Sequence, residues 1–478
     1  MKKNSLILFL LAQLIFSTIA GAQSATGETL SLQQCIEAAI ANNLQVRQAV
    51  YQAQLSKVDY NQARSNRLPN ISGNISHGIN QGRSIDPFTN SYLNQEIGFA
   101  NYSINTSITL WNAASIQYGI RQNELNYQAS EMSWQQAKDN TTLNVILTYL
   151  QILSNKEQWR IAQKQAAVTR AQVERLQILH ASGAIAPATL YDLKGQLSSD
   201  ELNVLTLKNT LETAKISLAQ LMNISYSPAM DVESIPVNTL PVLYEKSSEM
   251  IYQVALQQLA MIKAAGLRLS SAKKGIQSAR AQLFPTLSLN GGLGTNYSSV
   301  ASTQQLIGTT DVATPQYVIV NTDKLNVFVP QNNYASQKIS YGEQWKNNFN
   351  SSVSISLQIP LLNRMISRNR MRQAVIAEKR ADFELTATQT QVKQSIDQAY
   401  VNMQTALERL QTLEKQVADF ALSFSAAEVK FNAGVNTSID YMLAKNNLDR
   451  ASANLIAARF DYIFRNKILD FYQGKPLW

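Results

Sequence analysis

The chain of 478 residues has one cysteine and two histidines, which removes several classes of function at once. A disulfide framework needs paired cysteines, and a structural zinc site needs about four Cys or His ligands. Catalysis built on a Cys nucleophile or a His base has almost nothing to work with. Cys35 falls inside a helical pattern, where a small buried thiol is the ordinary outcome. His77 sits on a strand-like stretch and His180 near a helix end, far apart in the chain. Gly291-Gly292-Leu293-Gly294 has neither the G-x-G-x-x-G spacing nor the lysine of a nucleotide loop. No catalytic residue, metal ligand or cofactor site is assigned, and the chain reads as a non-enzyme.

Charge is also scarce, at 16% of residues against roughly a quarter in an average soluble domain. The net charge of +9 comes from scattered Lys and Arg with no dense basic run, so no nucleic-acid patch is expected. Only 18 Gly and 11 Pro are present, which favours a few long regular elements over many short ones. Beyond the first 22 residues no stretch approaches the 18 consecutive apolar residues of a membrane helix, so any membrane span must be built of strands.

At the start, Lys2 and Lys3 precede an apolar run from Leu6 to Ile19 and then Ala20-Gly21-Ala22. This is the pattern of a secretory signal peptide over 1–22, cut after Ala22. A membrane anchor is the alternative, but the run is shorter than the roughly 20 residues a spanning helix needs. No cysteine follows the cleavage point, so no N-terminal lipid is expected.

The remainder repeats itself. A shift of 216 matches Ala39 with Ala255, Ala63-Arg64 with Ala279-Arg280 and Pro69 with Pro285. A shift of 251 matches Tyr149 with Tyr400, Gly183 with Gly434 and Lys194 with Lys445. The second copy therefore carries about 35 extra residues between Pro285 and Leu362. The expected layout is a first repeat over 23–222, a linker over 223–248 holding Pro228, Pro236 and Pro241, and a second repeat over 249–478.

Each repeat has the same order of elements. Heptad-spaced Leu32, Ala39, Val46, Ala53 and Tyr60 predict one helix over 32–67, and its counterpart runs over 249–283. Strands follow, marked by alternation: Ile71 and Ile75 with Ile104 and Ile108 in the first copy, Leu287 and Leu289 with Val353, Ile355 and Leu357 in the second, interleaved with Ser, Asn and Gly. These nine side chains are the candidate lipid-facing set. Four strands of about nine residues have the length that crosses a bilayer at a tilt, and Phe99, Tyr102, Trp111, Phe284 and Phe349 near their ends are placed as interfacial anchors. The alternative is a small soluble sandwich, but no other β layer is offered for these faces to pack on.

A long helix then runs from Trp111 to Ser182, Gly183 ends it, and a shorter one reaches Met222. In the second copy the long helix covers 362–433, Gly434 stops it, and the last helix covers 437–472. The short helices of each copy together match the long one, roughly 105 Å at 1.5 Å per residue.

Four strands cannot close a barrel, and an open edge in lipid strands backbone groups at several kcal/mol each. Bacterial barrels need at least eight strands, so two or three chains must share one wall if these strands are in a membrane.

The segment from Leu30 to Asn43, the A-R-x-x-x-x-P strings at Ala63 and Ala279, and Phe431-Asn432-Ala433-Gly434 followed by Ser438-Ile439-Asp440 resemble the TolC-like outer membrane efflux protein family. The likeness covers essentially the whole chain after residue 22, in order and duplicated. It implies a mainly α fold with a membrane β-barrel: a homotrimer in which three copies of four strands close twelve in the outer membrane of a Gram-negative bacterium. An α-helical tunnel would continue into the periplasm. It also implies an exit duct of a tripartite efflux or type I secretion system, docked on a periplasmic adaptor coupled to an inner-membrane transporter. Gly82 to Pro87 and 295–350 would be the extracellular loops.

The resemblance further implies that the turns at Gly183 and Gly434 form the periplasmic tip. There Phe431 and Asn436 stand where the family carries a Tyr/Arg latch, so the same hydrogen bonds cannot form, and Leu443 stands at a second acidic position. Asp440 matches an acidic ring. Three such carboxylates around one axis would attract cations, or Asp440 caps the helix that begins there. Two other functions stay open: an exported coiled-coil rod without a channel, which would be soluble, and a diffusion porin, for which so much helix is superfluous.

Overall fold

The computed structural model of the chain describes residues 29–85, 90–234 and 244–475. The expected cleavage point after Ala22, loop residues Asp86 and Pro87, and linker prolines Pro236 and Pro241 lie outside the described residues.

The duplicated helices agree in length to within one residue. The first copy has α1 (Leu32–Asn42), α2 (Leu44–Ser65), α3 (Ser115–Ala181) and α4 (Pro187–Met222), of 11, 22, 67 and 36 residues. The second has α5 (Ser248–Gln258) and α6 (Ala260–Ala281), then a seven-residue α7 (Tyr341–Asn347) without counterpart, then α8 (Ile366–Asn432) and α9 (Ser438–Tyr472). Leaving α7 aside, these measure 11, 22, 67 and 35 residues. Among the described residues no helix is long and apolar enough to cross a membrane.

The heptad rows predict single helices over 32–67 and 249–283, and both are in fact broken. The breaks fall at Asn43 and Leu259, positions that the 216 shift superposes. Asn43 is extended, at ψ 131°, and its Oδ1 accepts from the Gln45 and Val46 amides at 2.9 and 3.4 Å, so it ends one helix and caps the next. Leu259 has no such side chain. It holds ψ 127° while its side chain packs in a core with Ile251, Ile396 and Met403.

The described chain divides into two units, and α2, α3, α6 and α8 contribute to both. The first unit takes in the residues up to Lys57, Leu125–Ser270 and those from Lys379 onward. One of its cores joins Cys35, Ile36 and Ala39 to Ile146, Tyr149, Leu218 and Met222. A second joins Ile251 and Ala255 to Ile396, Met403, Tyr462 and Leu469. Strand β1 (Thr29–Leu30) pairs in parallel with β6 (Asp231–Val232), which lies between α4 and α5 in the chain. The buried Tyr149 hydroxyl lies 3.2 Å from the Leu30 carbonyl and 2.7 Å from that of Glu233, and Lys156 reaches Asp231 at 2.5 Å.

The second unit, Val58–Glu124 with Ser271–Glu378, holds a four-stranded antiparallel sheet. Its strands are β2 (Asn70–Asn80), β5 (Ile97–Trp111), β7 (Thr286–Ser298) and β10 (Asn350–Gln358), in the order β10-β7-β5-β2. Two small ribbons accompany it: β3 (Arg83–Ile85) with β4 (Tyr92–Asn94), and β8 (Ser302–Val320) with β9 (Asp323–Lys338). The stretch 295–350, expected as loop, is thus largely ordered secondary structure. Its alternation fails because the distal half of the β8–β9 ribbon carries apolar side chains on both faces, so no polar face marks the period.

Candidate functional site

Both long helices end in the same way. Gly183 and Gly434 have φ of +76° and +75°, and the amides around them return to carbonyls one turn back: Gly183 to His180 and Ala184 to Leu179, Gly434 to Phe431 and Val435 to Lys430. This is the Schellman turn, which needs a left-handed residue and therefore favours glycine. The helices that follow start differently. Ala186 provides no side-chain cap before Pro187, whereas Thr437 and Asp440 form a reciprocal capping box, with the Thr437 hydroxyl 2.8 Å from the Asp440 carboxylate. Asp440 is exposed and closes the box from the third helical position: its Oδ2 accepts from the Thr437 amide at 3.3 Å and from the Thr437 hydroxyl.

Phe431, at the position where the family carries a latch Tyr, is packed inward. It is half-buried and stacks on Tyr441 with ring centroids 4.9 Å apart, in a cluster with Val173, Leu176, Leu190 and Leu193. Burial pushes the Tyr441 phenol up to about 12. Asn436 is half-buried, and its amide donates to the Lys430 carbonyl at 3.4 Å.

The polar bonds between the two repeats are made by other residues. Asn432, at the end of α8, accepts at Oδ1 from Gln172 at 3.1 Å and from Arg175, both on α3. The Arg175 guanidinium also donates to the Asn432 carbonyl, where a cation complements the negative helix end. Ser438 donates to Asp192 at 3.0 Å. Two turns further on, Lys445, 2% exposed, lies 3.0 Å from Asp200 on α4 and 2.5 Å from Asp449 on its own helix. Thr169 and Gln196 donate to Asp200 at 2.6 and 2.7 Å, and Gln196 exchanges hydrogen bonds with Asn446. Burial raises the Asp449 pKa even with the Lys445 ammonium beside it.

In the sheet, antiparallel pairing fixes which side chains share a face. Ile71 opposes Thr106, Ile75 opposes Tyr102, Ile104 opposes Leu293, Ile108 opposes Leu289, Val353 opposes Gly291, and Ile355 and Leu357 oppose Leu289 and Leu287. The nine nominated residues therefore lie on one face. The other face carries Ser72, Asn74, Ser103, Asn105, Asn290, Ser352 and Ser354. Within the chain the apolar face is open: Ile75 is 75% exposed and Val353 81%. At its far end Tyr102 meets Trp345 of α7 edge-on at 4.7 Å, and Phe349 stands nearby, 57% exposed. Strands β2 and β10 each have a neighbour on one side only.

A sequence model of the outer membrane efflux protein family matches residues 35–223 and again 251–470. The chain belongs to that family. It is 23% identical over 406 residues to "Outer membrane protein TolC" of Vibrio cholerae, covering 84% of this chain and 81% of the relative. To "Outer membrane protein TolC" of Escherichia coli it is 21% identical over 481 residues, with coverage of 97% and 84%. The crystal structure of the Campylobacter jejuni CmeC outer membrane channel superposes with a TM-score of 0.74 at 15% identity, over 93% of this chain and 85% of that one. This is an outer membrane efflux channel protein with the fold of such channels. Its family is one of channels, not of enzymes. Among the described residues no group of His, Cys, Asp or Glu side chains is arranged to hold a metal.

Proposed function

We propose that three copies close one twelve-stranded barrel and that the duct so formed is the exit of a tripartite efflux or type I secretion assembly. In this reading the repeats over 23–222 and 249–478 form the helical wall, with 223–248 between them and 1–22 removed on export. The observation that carries it is a sheet with one open apolar face, one face of small polar side chains and two unpaired edges. In lipid every backbone donor and acceptor must be paired. Neighbouring copies on β2 and β10 supply those pairs, lipid covers Ile71, Ile75, Ile104 and their row, and Ser and Asn face a wet lumen.

The tip is the docking end and the gate. Exposed Ile178 and Tyr191 in the first repeat and Val429, Val435, Ile439 and Leu443 in the second give a periplasmic adaptor apolar surface to bury. The adaptor couples the duct to an inner-membrane transporter. Arg175–Asn432, Ser438–Asp192 and Lys445–Asp200 tie the helices of one repeat to those of the other, so opening the tip means breaking them. Three Asp440 side chains retain a free oxygen each to ring the axis.

Extraction of the full chain from outer membranes and mass measurement of the detergent particle tests the reading. A trimer that conducts ions when reconstituted is expected; a detergent-free monomer would sink it.

A further inference from the structure

The β8–β9 ribbon accounts for the extra residues of the second repeat, and its two halves differ in kind. The base, 302–311 with 330–338, is rich in Ser, Thr, Gln and Asn. The distal half is apolar on both faces. Pairing of Ala313 with Phe328, Tyr317 with Asn326 and Ile319 with Lys324 puts Tyr317, Ile319 and Phe328 on one face. Pairing of Val312 with Val329, Val318 with Leu325 and Val320 with Asp323 puts five aliphatic side chains on the other. All eight apolar residues are 44–63% exposed. The ribbon forms a sheet of its own, and an isolated two-stranded hairpin is marginal in water.

Three features say what covers it. Two apolar faces need two neighbours, whereas a lipid surface or one flat partner covers a single face. Pro315 on β8 and Pro330 on β9 each lack an amide proton, which makes either outer edge a poorer template for an incoming strand and favours contact through the faces. The ribbon carries Asp311, Asp323, Lys324 and Lys338, balanced in sign, and at the tip Asp323 belongs to one face and Lys324 to the other. The ribbon leaves β7 at Ser298, the end of the sheet away from α6, and the chain returns from it through α7 to the edge strand β10.

We propose that the distal halves of three β8–β9 ribbons pack into a closed ring above the outer mouth of the channel. The Tyr317, Ile319 and Phe328 face of one copy meets the valine face of the next, with Lys324 opposite Asp323. This rests on the trimeric duct proposed above. Front-to-back contact around a three-fold axis covers both faces of every ribbon and balances every charged pair.

The test uses full-length chains bearing two different tags, one with Val318→Cys and the other with Ile319→Cys, coexpressed and extracted as native particles. A short bis-maleimide that spans the about 10 Å between face-packed sheets is added before denaturation; the natural Cys35 is buried and out of reach. Covalent products carrying both tags are expected in large excess over products of either chain alone. Adding Lys324→Asp to one chain should reduce them several-fold, and Asp323→Lys in the other should restore them. A trimeric particle with no mixed product, or with equal like-with-like product, overturns the ring alone. Protection of either thiol from maleimide by lipid vesicles but not by trimer formation assigns the ribbon to the membrane surface and overturns it too. A monomeric particle overturns the duct and the ring together.

Discussion

The two repeats are one scaffold with two sets of ends. Their helices agree in length to a residue, and each pair of short helices breaks at the same superposed position. They part company where chain reverses. At the strand end the first repeat has the three-residue strands β3 and β4, and the second has strands of 19 and 16 residues. At the helix end the first starts its return helix from an uncapped Ala186 and the second from a full capping box. Lys194 and Lys445 superpose under the 251 shift, yet Lys194 lies over the exposed Tyr191 ring at 5.6 Å while Lys445 is buried between two aspartates. Duplication preserved the packed lengths, which neither copy can change alone, and left the ends free to diverge.

The largest break in this comparison is expected at the lysines. Lys445→Met leaves Asp200 and Asp449 without their cation and should cost about 3–5 kcal/mol, as for other buried pairs cut on one side. Lys194→Met should cost less than about 1 kcal/mol, since only an exposed cation–π contact is lost. Denaturant unfolding of the detergent-solubilised protein, followed by circular dichroism, reads both. Asp449→Asn should cost less than Lys445→Met because Lys445 keeps Asp200. The sign with pH follows from the raised Asp449 pKa: what this group adds to stability is complete below the ordinary carboxyl value and is lost as pH rises through the folded-state value. The asparagine variant should therefore show a flatter stability profile across that window.

Next come the turns, where the repeats should behave alike. An added Cβ at Gly183 or Gly434 meets nothing within 4 Å, so Gly183→Ala and Gly434→Ala should each lose about 1–2 kcal/mol through left-handed backbone strain alone. Unequal losses would mean that one turn is held by a neighbour. Smaller again, Thr437→Ala should cost about 1 kcal/mol, while Ala186→Ser should gain part of that in the other repeat, read by the same unfolding experiment. The smallest change in stability and the clearest in transport is expected of Asp440→Ala. It should shift the reversal potential of the reconstituted channel in a salt gradient; an unchanged potential would leave Asp440 a helix cap only.

Much of the scaffold was legible because burial leaves a period in the sequence. Ala39, Val46 and Ala53 repeat every seven residues and all three are buried. Ile71 to Ile79 alternate with Ser and Asn, and the strand is there. What was not legible lacks such a period. Asn43 is a cap former inside a helical row and could have been read as a break, but Leu259 has no polar group to announce one. The β8–β9 ribbon offers apolar residues to both sides, so alternation fails. The bonds between Arg175 and Asn432 and between Lys445 and Asp200 join residues some 250 positions apart, and nothing in either neighbourhood marks the partner. Phe431 stands where the family carries a latch Tyr and has no hydroxyl to form it; its ring packs against Tyr441 because an unfunctionalised ring gains more from burial than from water.

The hydroxyl of Tyr149 sits between the carbonyls of Leu30 and Glu233. One phenol thereby fastens the earliest described strand to the seam that joins the repeats. Trimming Thr29 and Leu30, or exchanging Tyr149 for Phe, would unbutton that seam from both sides at once, so how firmly the two repeats are stitched together turns on a single hydroxyl and a two-residue strand.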